Sequence, residues 1–490
     1  MREKEYLQSQ YSAIFSYTGI IIFLAGGIML FPLLILRYYP DESTHAISFL
    51  VPSGILISCG FGLWRKFRVY TDTTLSVQEG GIIVFLSWII VVVFSALPFV
   101  TILDIPFSRA LFESVSGWTT TGLSIVDVTR AEKIVLIWRS ITQFFGGAGL
   151  AIIMMSAIVG PTGIGISSAE GRSDQLVPQV RQSARLVLII YAGYAIIGSL
   201  AYWFAGMTLF DAINHSFAAV STGGFSTHPE SIGYWNSTLI EAITIPLMIL
   251  GNLSFVTAWY LLRGQFSVVI RNGEVQVMAV AIPVASFAVF FLTCQAVYPQ
   301  MEKSIRVAIF ETISALTTTG FSTVSYNNWN SFGIILLIGL MLIGGGTCST
   351  AGGLKQSRFY LMLRVFYWYL KRSMMSRNSI VENSIWEGNK KIFIDDRKIQ
   401  EVFVFAFLYF IIYFFGVMLL CYSGFSVSDS MFEFASAIGT AGLTIGVTSA
   451  QMPDIALWGL TFAMFLGRLE FFVVFISIIK IFRDTRKVVM

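Results

Sequence analysis

Charge is what this 490-residue sequence has least of. Only 12% of its residues are Asp, Glu, Lys or Arg, while 55% are hydrophobic. A soluble domain carries about 25% charged residues. The three soluble domains that the length alone would suggest could not cover their surfaces with so few, which excludes a water-soluble enzyme. Histidine is scarce too, and His45, His215 and His228 are too scattered for a histidine-based metal site. The four cysteines, Cys59, Cys294, Cys348 and Cys421, show neither CxxC nor metal-ligand spacing and read as buried small residues. HExxH, a Ser/His pair within an apolar run, and a G-x-G-x-x-G nucleotide fingerprint are all missing. A net charge of +4 is spread between apolar segments and forms no basic stripe, so no nucleic-acid partner is expected. The N-terminal MREKEYLQSQYSAIF leads into an apolar run with no small-residue cleavage site, and the first hydrophobic segment is expected to persist in the mature protein. What is abundant is Phe (43) and Gly (42), the composition of a lipid-facing exterior and a closely packed or bent backbone.

A spanning helix needs about 20 apolar residues. Ile14–Leu36, Ile82–Leu103, Leu186–Phe204, Ile240–Leu262, Val275–Tyr298 and Val402–Leu420 meet that length, and Ala46–Leu63 is slightly short. Ile134–Val159 qualifies despite Arg139, and Ile455–Ile481 despite Arg468 and Glu470. Phe332–Ile343 is half a span, broken by a glycine-rich run and resumed at Leu354–Leu370. Arg2, Lys4, Arg65, Lys66, Arg68, Arg172, Arg181, Arg185, Arg263, Arg271, the 371–398 loop (with Arg377) and Lys480 to Lys487 fall on one side if the spans alternate. The positive-inside rule then puts both termini and that loop in the cytoplasm.

An internal repeat organises the rest. Segments 112–124 (FESVSGWTTTGLS), 214–226 (NHSFAAVSTGGFS), 310–322 (FETISALTTTGFS) and 432–444 (FEFASAIGTAGLT) align without gaps. Each holds Thr-x-Gly: Thr120-Thr121-Gly122, Thr222-Gly223-Gly224, Thr318-Thr319-Gly320 and Thr440-Ala441-Gly442. A small residue, Ser116, Ala218, Ser314 or Ser436, stands six before each Gly. About a dozen residues precede each motif, enough for a half-helix but not a crossing. Non-helical backbone at membrane depth must be buried in protein or line water, so four such turns around one axis would line a pore. Carbonyl rings can replace a cation's hydration shell, and glycine permits the positive φ that points them inward. Glu113, Glu311 and Glu433, with His215 in the second repeat, are read as sitting at half-helix N-termini, where capping outranks ion binding. Gly-mediated helix contacts would be the alternative use of the glycines.

At these residues the sequence resembles the Trk/Ktr/HKT superfamily of potassium transporters, over nearly the whole chain. The likeness includes QFFGGAG (143–149), GGGTCSTAGGLK (344–355) and GRLEFF (467–472). It implies an all-α polytopic membrane protein: four pseudo-symmetric M1–P–M2 repeats around a central pore, plus an extra N-terminal helix pair that looks like the TrkH branch. The expected division is 1–75 for the pair, 76–165, 176–271 and 272–372 for repeats one to three, 373–398 for a cytoplasmic loop and 399–490 for repeat four. The twelve Thr-x-Gly residues would form the potassium filter, with K+ the only metal and no bound cofactor. Gly122, where sodium-preferring plant relatives carry Ser, favours potassium; Ala441 departs from the Thr of repeats one and three.

The run Gly344, Gly345, Gly346, Thr347, Cys348, Ser349, Thr350, Ala351, Gly352, Gly353 is costly as a helix, at roughly 1 kcal/mol per Gly. The resemblance makes it a gate loop beneath the filter; a passive kink is the other reading. A phosphate loop is excluded, because Gly-Lys-Ser/Thr is missing. Arg468, where a mid-membrane charge costs about 2.5–3.5 kcal/mol or more, matches the family's pore-facing arginine and would set an electrostatic barrier; a structural salt bridge is its alternative. The family adds a homodimer and a cytosolic nucleotide-binding (RCK-type, TrkA-like) regulatory subunit, with lipid headgroups against the basic loop, which is expected to have no fold of its own. The function implied is potassium uptake across a bacterial cytoplasmic (inner) membrane. Sodium preference, H+- or Na+-coupled symport and, remotely, an intramembrane enzyme are its rivals.

Overall fold

The computed structural model describes residues 2–68, 76–149, 180–376, 382–388 and 390–489. Within these, six helices are long and apolar enough to cross a membrane, or eight if each of two bent pairs is one span. Their outer faces are apolar: Ile189, Phe204, Phe287, Phe407 and Phe415 are all more than 60% exposed. Polar side chains gather at the centre instead, where Thr119, Thr120, Thr121, Thr222, Thr318, Thr319 and Thr440 are fully buried. This inversion of the water-soluble pattern is what hydrocarbon as solvent demands. The chain is a multi-pass membrane protein.

Helices α1 (Arg2–Ile28) and α2 (Ala46–Phe67) pack as a pair. A Cβ on Gly60 would overlap the Gly19 carbonyl and the Phe23 amide, so glycine sets how closely they approach. Between them, Glu42 accepts from the backbone N–H groups of Lys133 (2.9 Å) and Ile134 (2.8 Å), which open α5 (Lys133–Ala148). A carboxylate there satisfies orphan donors and the positive helix end.

Four similar units follow. The first comprises α3 (Val77–Leu103), half-helix α4 (Phe107–Trp118) and α5. The second comprises α6 (Val180–Phe204), half-helix α7 (Leu209–Val220), α8 (Thr238–Asn252) and α9 (Phe255–Leu262). After the short α10 (Phe266–Arg271) comes the third: α11 (Gly273–Val289), half-helix α12 (Met301–Leu316), α13 (Ser331–Ile343) and α14 (Gln356–Ser373). The fourth comprises α15 (Asp396–Tyr422), half-helix α16 (Val427–Ile438), α17 (Asp454–Leu469) and α18 (Phe471–Val489). Three half-helices have 12 residues, about 18 Å at 1.5 Å per residue, well short of a crossing. Two start at a side-chain cap, Thr208 accepting from Asp211 N–H and Ser426 from Asp429 N–H.

Several expectations need correction. Ile240–Leu262 is not one straight span: α8 and α9 meet at 118°, because Leu253 is extended and Ser254 caps a new helix. Ile455–Ile481 bends by 96° at Glu470, whose φ is +56°. Apolar composition runs through both breaks, which is why hydropathy hides them. The 373–398 loop does have local structure, an antiparallel hairpin of β1 (Ser384–Glu387) and β2 (Lys390–Phe393) pairing Ser384 with Phe393 and Glu387 with Lys390. Residues 150–159 of the Ile134–Val159 span, the 75 and 165 boundaries, Arg172 and Arg377 lie outside the described residues.

Candidate functional site

Each half-helix ends in the same way. The N–H of Thr120 bonds the Gly117 carbonyl and that of Thr121 the Ser116 carbonyl. The same two bonds recur as Thr222 to Ala219 and Gly223 to Ala218, Thr318 to Ala315 and Thr319 to Ser314, and Thr440 to Ala437 and Ala441 to Ser436, all 2.8–3.2 Å. This pair of bonds is a Schellman cap, which places its turning residue in the left-handed region, usually as Gly. Here that residue is Thr four times, with φ of +55°, +50°, +50° and +49°. A β-branched residue there is a genuine outlier, worth about 1–2 kcal/mol each. The residue six before each Gly supplies the carbonyl that takes the six-to-one bond of this cap.

The four turns close into a ring. Gly122, Gly224, Gly320 and Gly442 have φ of +92°, +72°, +81° and +82°. A Cβ on Gly122 would overlap the Gly223 carbonyl oxygen, one on Gly224 that of Thr319, one on Gly320 that of Ala441, and one on Gly442 that of Thr121. Each repeat's glycine thus faces the next repeat's carbonyl, and the fourth returns to the first. Oxygens gathered this way have the chemistry to stand in for a cation's hydration shell. On one side the ring opens into a vestibule of about 630 Å³, whose lining includes all four glycines, Asp127, Arg139, His228 and Glu230.

Glu113, Glu311 and Glu433 are not N-terminal caps. They lie well inside α4, α12 and α16, fully buried, and reach across to the chain leaving the turn. Glu113 accepts from Ile125 N–H (3.1 Å) and Ser124 Oγ (2.8 Å), and Glu311 from Thr323 N–H (2.8 Å) and the Tyr326 hydroxyl. Glu433 accepts from Thr448 N–H (2.9 Å) and Thr444 Oγ1 (2.8 Å). His215 holds the same place, with Nε2 2.9 Å from Ser226 Oγ. Arg139 ties neighbouring repeats together, donating to Glu113 (2.7 Å) and to the Ser226 carbonyl (3.1 Å).

On the other side of the ring, the run Gly344–Gly353 forms a folded loop. Gly345 N–H bonds the Gly352 carbonyl (3.0 Å), and a Cβ on Gly344 (φ +70°) would overlap Gly352 and Gly353 of the returning arm. Its glycines therefore serve close packing rather than slackness. Thr347 N–H donates to Glu274 (2.6 Å), Gly346 N–H to the Asn252 carbonyl (3.2 Å), and Phe255 N–H to the Cys348 carbonyl (3.2 Å). The Ser349 hydroxyl closes on the Gly346 carbonyl, while Ala351 and Gly353 complete the return. The tip reaches the left-handed threonines. Thr350 Oγ1 lies 3.0 Å from Thr222 Oγ1, the Thr120 hydroxyl is 3.4 Å from the Thr350 carbonyl, Gly352 N–H donates to Thr318 Oγ1 (2.9 Å), and a Cβ on Gly352 would overlap Thr440 Oγ1. Arg468 sits alongside, donating to the carbonyls of Thr350 (2.8 Å), Gly146 (2.7 Å) and Gly147 (3.2 Å).

Residues 48–486 match the profile of the TrkH family, described as a cation transport protein. The chain belongs to the TrkH family. It is 32% identical over 477 residues to the Trk system potassium uptake protein TrkG of Escherichia coli, covering 94% of this chain and 96% of TrkG. An uncharacterized cation transporter of Methanocaldococcus jannaschii is 30% identical over 458 residues, 92% of each chain. The crystal structure of the potassium transporter TrkH from Vibrio parahaemolyticus superposes with a TM-score of 0.83 at 28% identity, covering 95% of this chain and 98% of that one.

Three features of this TrkH-family site escape sequence reasoning. Second helices break in more than the third repeat: α8 breaks at Leu253 and α17 at Glu470, while α5 ends at Gly149 (φ +86°), the last residue described before 180. Gly146, Gly251 and Gly467 just before these breaks have no room for a Cβ against the carbonyls of Trp118, Val220 and Ile438, the last residues of α4, α7 and α16. GGAG, GNLS and GRLE are the available signal. Secondly, Arg358 at the start of α14 pairs with Glu470 (2.7 Å) and lies over Phe405 (3.9 Å). Thirdly, Glu274 of α11 anchors the loop at Thr347; no motif marks it.

Proposed function

We propose that this chain takes up potassium across the bacterial cytoplasmic membrane through a channel-like filter. The ring closure of the four Thr-x-Gly turns carries the reading. Carbonyls of Thr121, Gly223, Thr319 and Ala441 and hydroxyls of Thr120, Thr222, Thr318 and Thr440 replace the ion's water, while Gly122, Gly224, Gly320 and Gly442 allow the ring to close. The left-handed threonines support this: glycine would relieve their strain, but Thr, unlike glycine, supplies a hydroxyl there. Strain retained at four matching positions is the kind found at functional sites. The relatives named for potassium uptake and potassium transport point to the same ion.

The Gly344–Gly353 loop is the gate, closed here by its contacts with the threonine ring, and Arg468 both pins it and presents a positive barrier below the filter. Basic loops orient the termini to the cytoplasm, where a nucleotide-binding regulatory subunit acts on a homodimer of this chain. The chain is a transporter rather than an enzyme and binds no cofactor of its own. Complementation of a potassium-uptake-deficient bacterium tests this, with Rb+ uptake measured against competing Na+. Growth at low potassium is expected; wild-type uptake that prefers Na+ would refute the ion assignment.

A further inference from the structure

Gln143 belongs to the QFFGGAG run that the ring does not use directly. It is fully buried on α5, in the first repeat, yet its side chain serves the second. Nε2 donates to the Gly223 carbonyl (2.5 Å) and Oε1 accepts from Phe225 N–H (3.2 Å), so one amide brackets Gly224 from both sides. Its own space explains an irregularity in the repeat. Where the other turns carry Thr121, Thr319 and Ala441, the second carries Gly223, and a Cβ there would overlap Cδ, Oε1 and Nε2 of Gln143. Repeats one and three brace the same place from within, through hydroxyl pairs Thr119–Thr121 and Thr317–Thr319, each at 2.8 Å. Residues matching Gln143, three before the close-packed glycine of the second helix, are the buried Met248 and Met464. An amide donor therefore meets a bare Gly, and thioethers stand at the matching positions.

We propose that Gln143 is a specificity-determining positioning residue, supplying from the first repeat the brace that the second repeat's turn lacks. Holding the Gly223 carbonyl fixes one of the four oxygens in the ring, and an oxygen free to move inward would fit the smaller Na+ as readily as K+. This rests on the filter reading above. An alkyl side chain would leave both the Gly223 carbonyl and the Phe225 N–H without this partner, and buried polar groups rarely stay unpaired.

The test is a reciprocal cycle in the full-length protein, reconstituted in liposomes, with uptake of Rb+ measured against Na+. Gln143→Leu is expected to lower the K+/Na+ preference by about tenfold, an energetic coupling within the range for groups in contact. Gly223→Thr alone should abolish uptake, because the new side chain meets Gln143. The double change Gln143→Ala with Gly223→Thr rebuilds the arrangement of repeats one and three and should recover potassium preference. Should Gln143→Leu fail to fold, the Gly223→Thr single and the double still decide. Wild-type preference in Gln143→Leu, or a double variant no better than Gly223→Thr, would overturn the proposal. A wild-type protein without potassium preference would instead overturn the filter reading beneath it.

Discussion

The two ends of the ring are fastened by different logic. On the vestibule side each turn is tied by a side chain from the same place in its own half-helix: Glu113, His215, Glu311 and Glu433. On the opposite side a single loop from the third repeat meets all four threonines, with Arg468 from the fourth beside it. Fourfold bracing suits a part that must hold one geometry whichever ion occupies it. A plug contributed by one repeat can leave without unfolding the other three. On the filter and gate reading proposed above, the difference separates selecting from gating, and variants on the two sides should fail differently.

The largest effect is expected at the ring itself. Ala at Gly122, Gly224, Gly320 or Gly442 adds a left-handed penalty of about 1–2 kcal/mol and a methyl where the neighbouring carbonyl already lies. Growth at low potassium should be lost while the protein still reaches the membrane, checked by immunoblot beside Rb+ uptake. Wild-type uptake in all four variants would remove the ring from the mechanism. Next comes the inner side. Arg468→Ala takes away charge-assisted bonds to Thr350 and Gly146, each worth about 1.5–3 kcal/mol, so uptake should rise about tenfold with K+ preference kept. Unchanged uptake would leave the loop as a structural crosslink.

A smaller, opposite signature is expected outside. Glu433→Gln keeps the shape but loses acceptor capacity for Thr444, Ile445 and Thr448. Stability should fall by about 1–3 kcal/mol, the cost of buried groups left without partners, read as a lower unfolding temperature in detergent. Uptake should drop rather than rise. A gain of uptake from this side would erase the distinction between the two ends.

Which parts were legible in the sequence follows the same divide. Thr-x-Gly repeats in register mark the ring because four copies had to solve one backbone problem, and Gly344–Gly353 is visible because five glycines in ten residues make a helix costly. Glu113 was misplaced because alignment gives spacing but not where α4 begins; Phe107, six residues earlier, opens the helix. Breaks at Leu253 and Glu470 were hidden because one extended or left-handed residue bends a helix without changing its hydropathy. Gln143 was unreadable because its partner is 80 residues away in another repeat. Short-range geometry left a trace in residue type; contacts between repeats did so only where they demand a bare glycine, as at Gly122 and Gly223.

The smallest effect tests whether the inner side has a second fastening. Arg358 and Glu470 join the first turn of α14, immediately after the loop, to the break between α17 and α18. Their side chains are 22% and 14% exposed, so the pair is partly screened and is expected to contribute about 1 kcal/mol. If it restrains the loop, Glu470→Gln should raise uptake by severalfold, less than Arg468→Ala does. Glu470 is also left-handed at φ +56°, and strain relief could mimic loss of the pair. Glu470→Gly separates the two: it relieves the strain and removes the charge, whereas Gln removes the charge alone. Equal gains in both variants, matched by Arg358→Gln, would assign the restraint to the ion pair. A gain confined to Gly would assign it to backbone strain at the break, and the loop would then be held by the threonine ring and Arg468 without a latch.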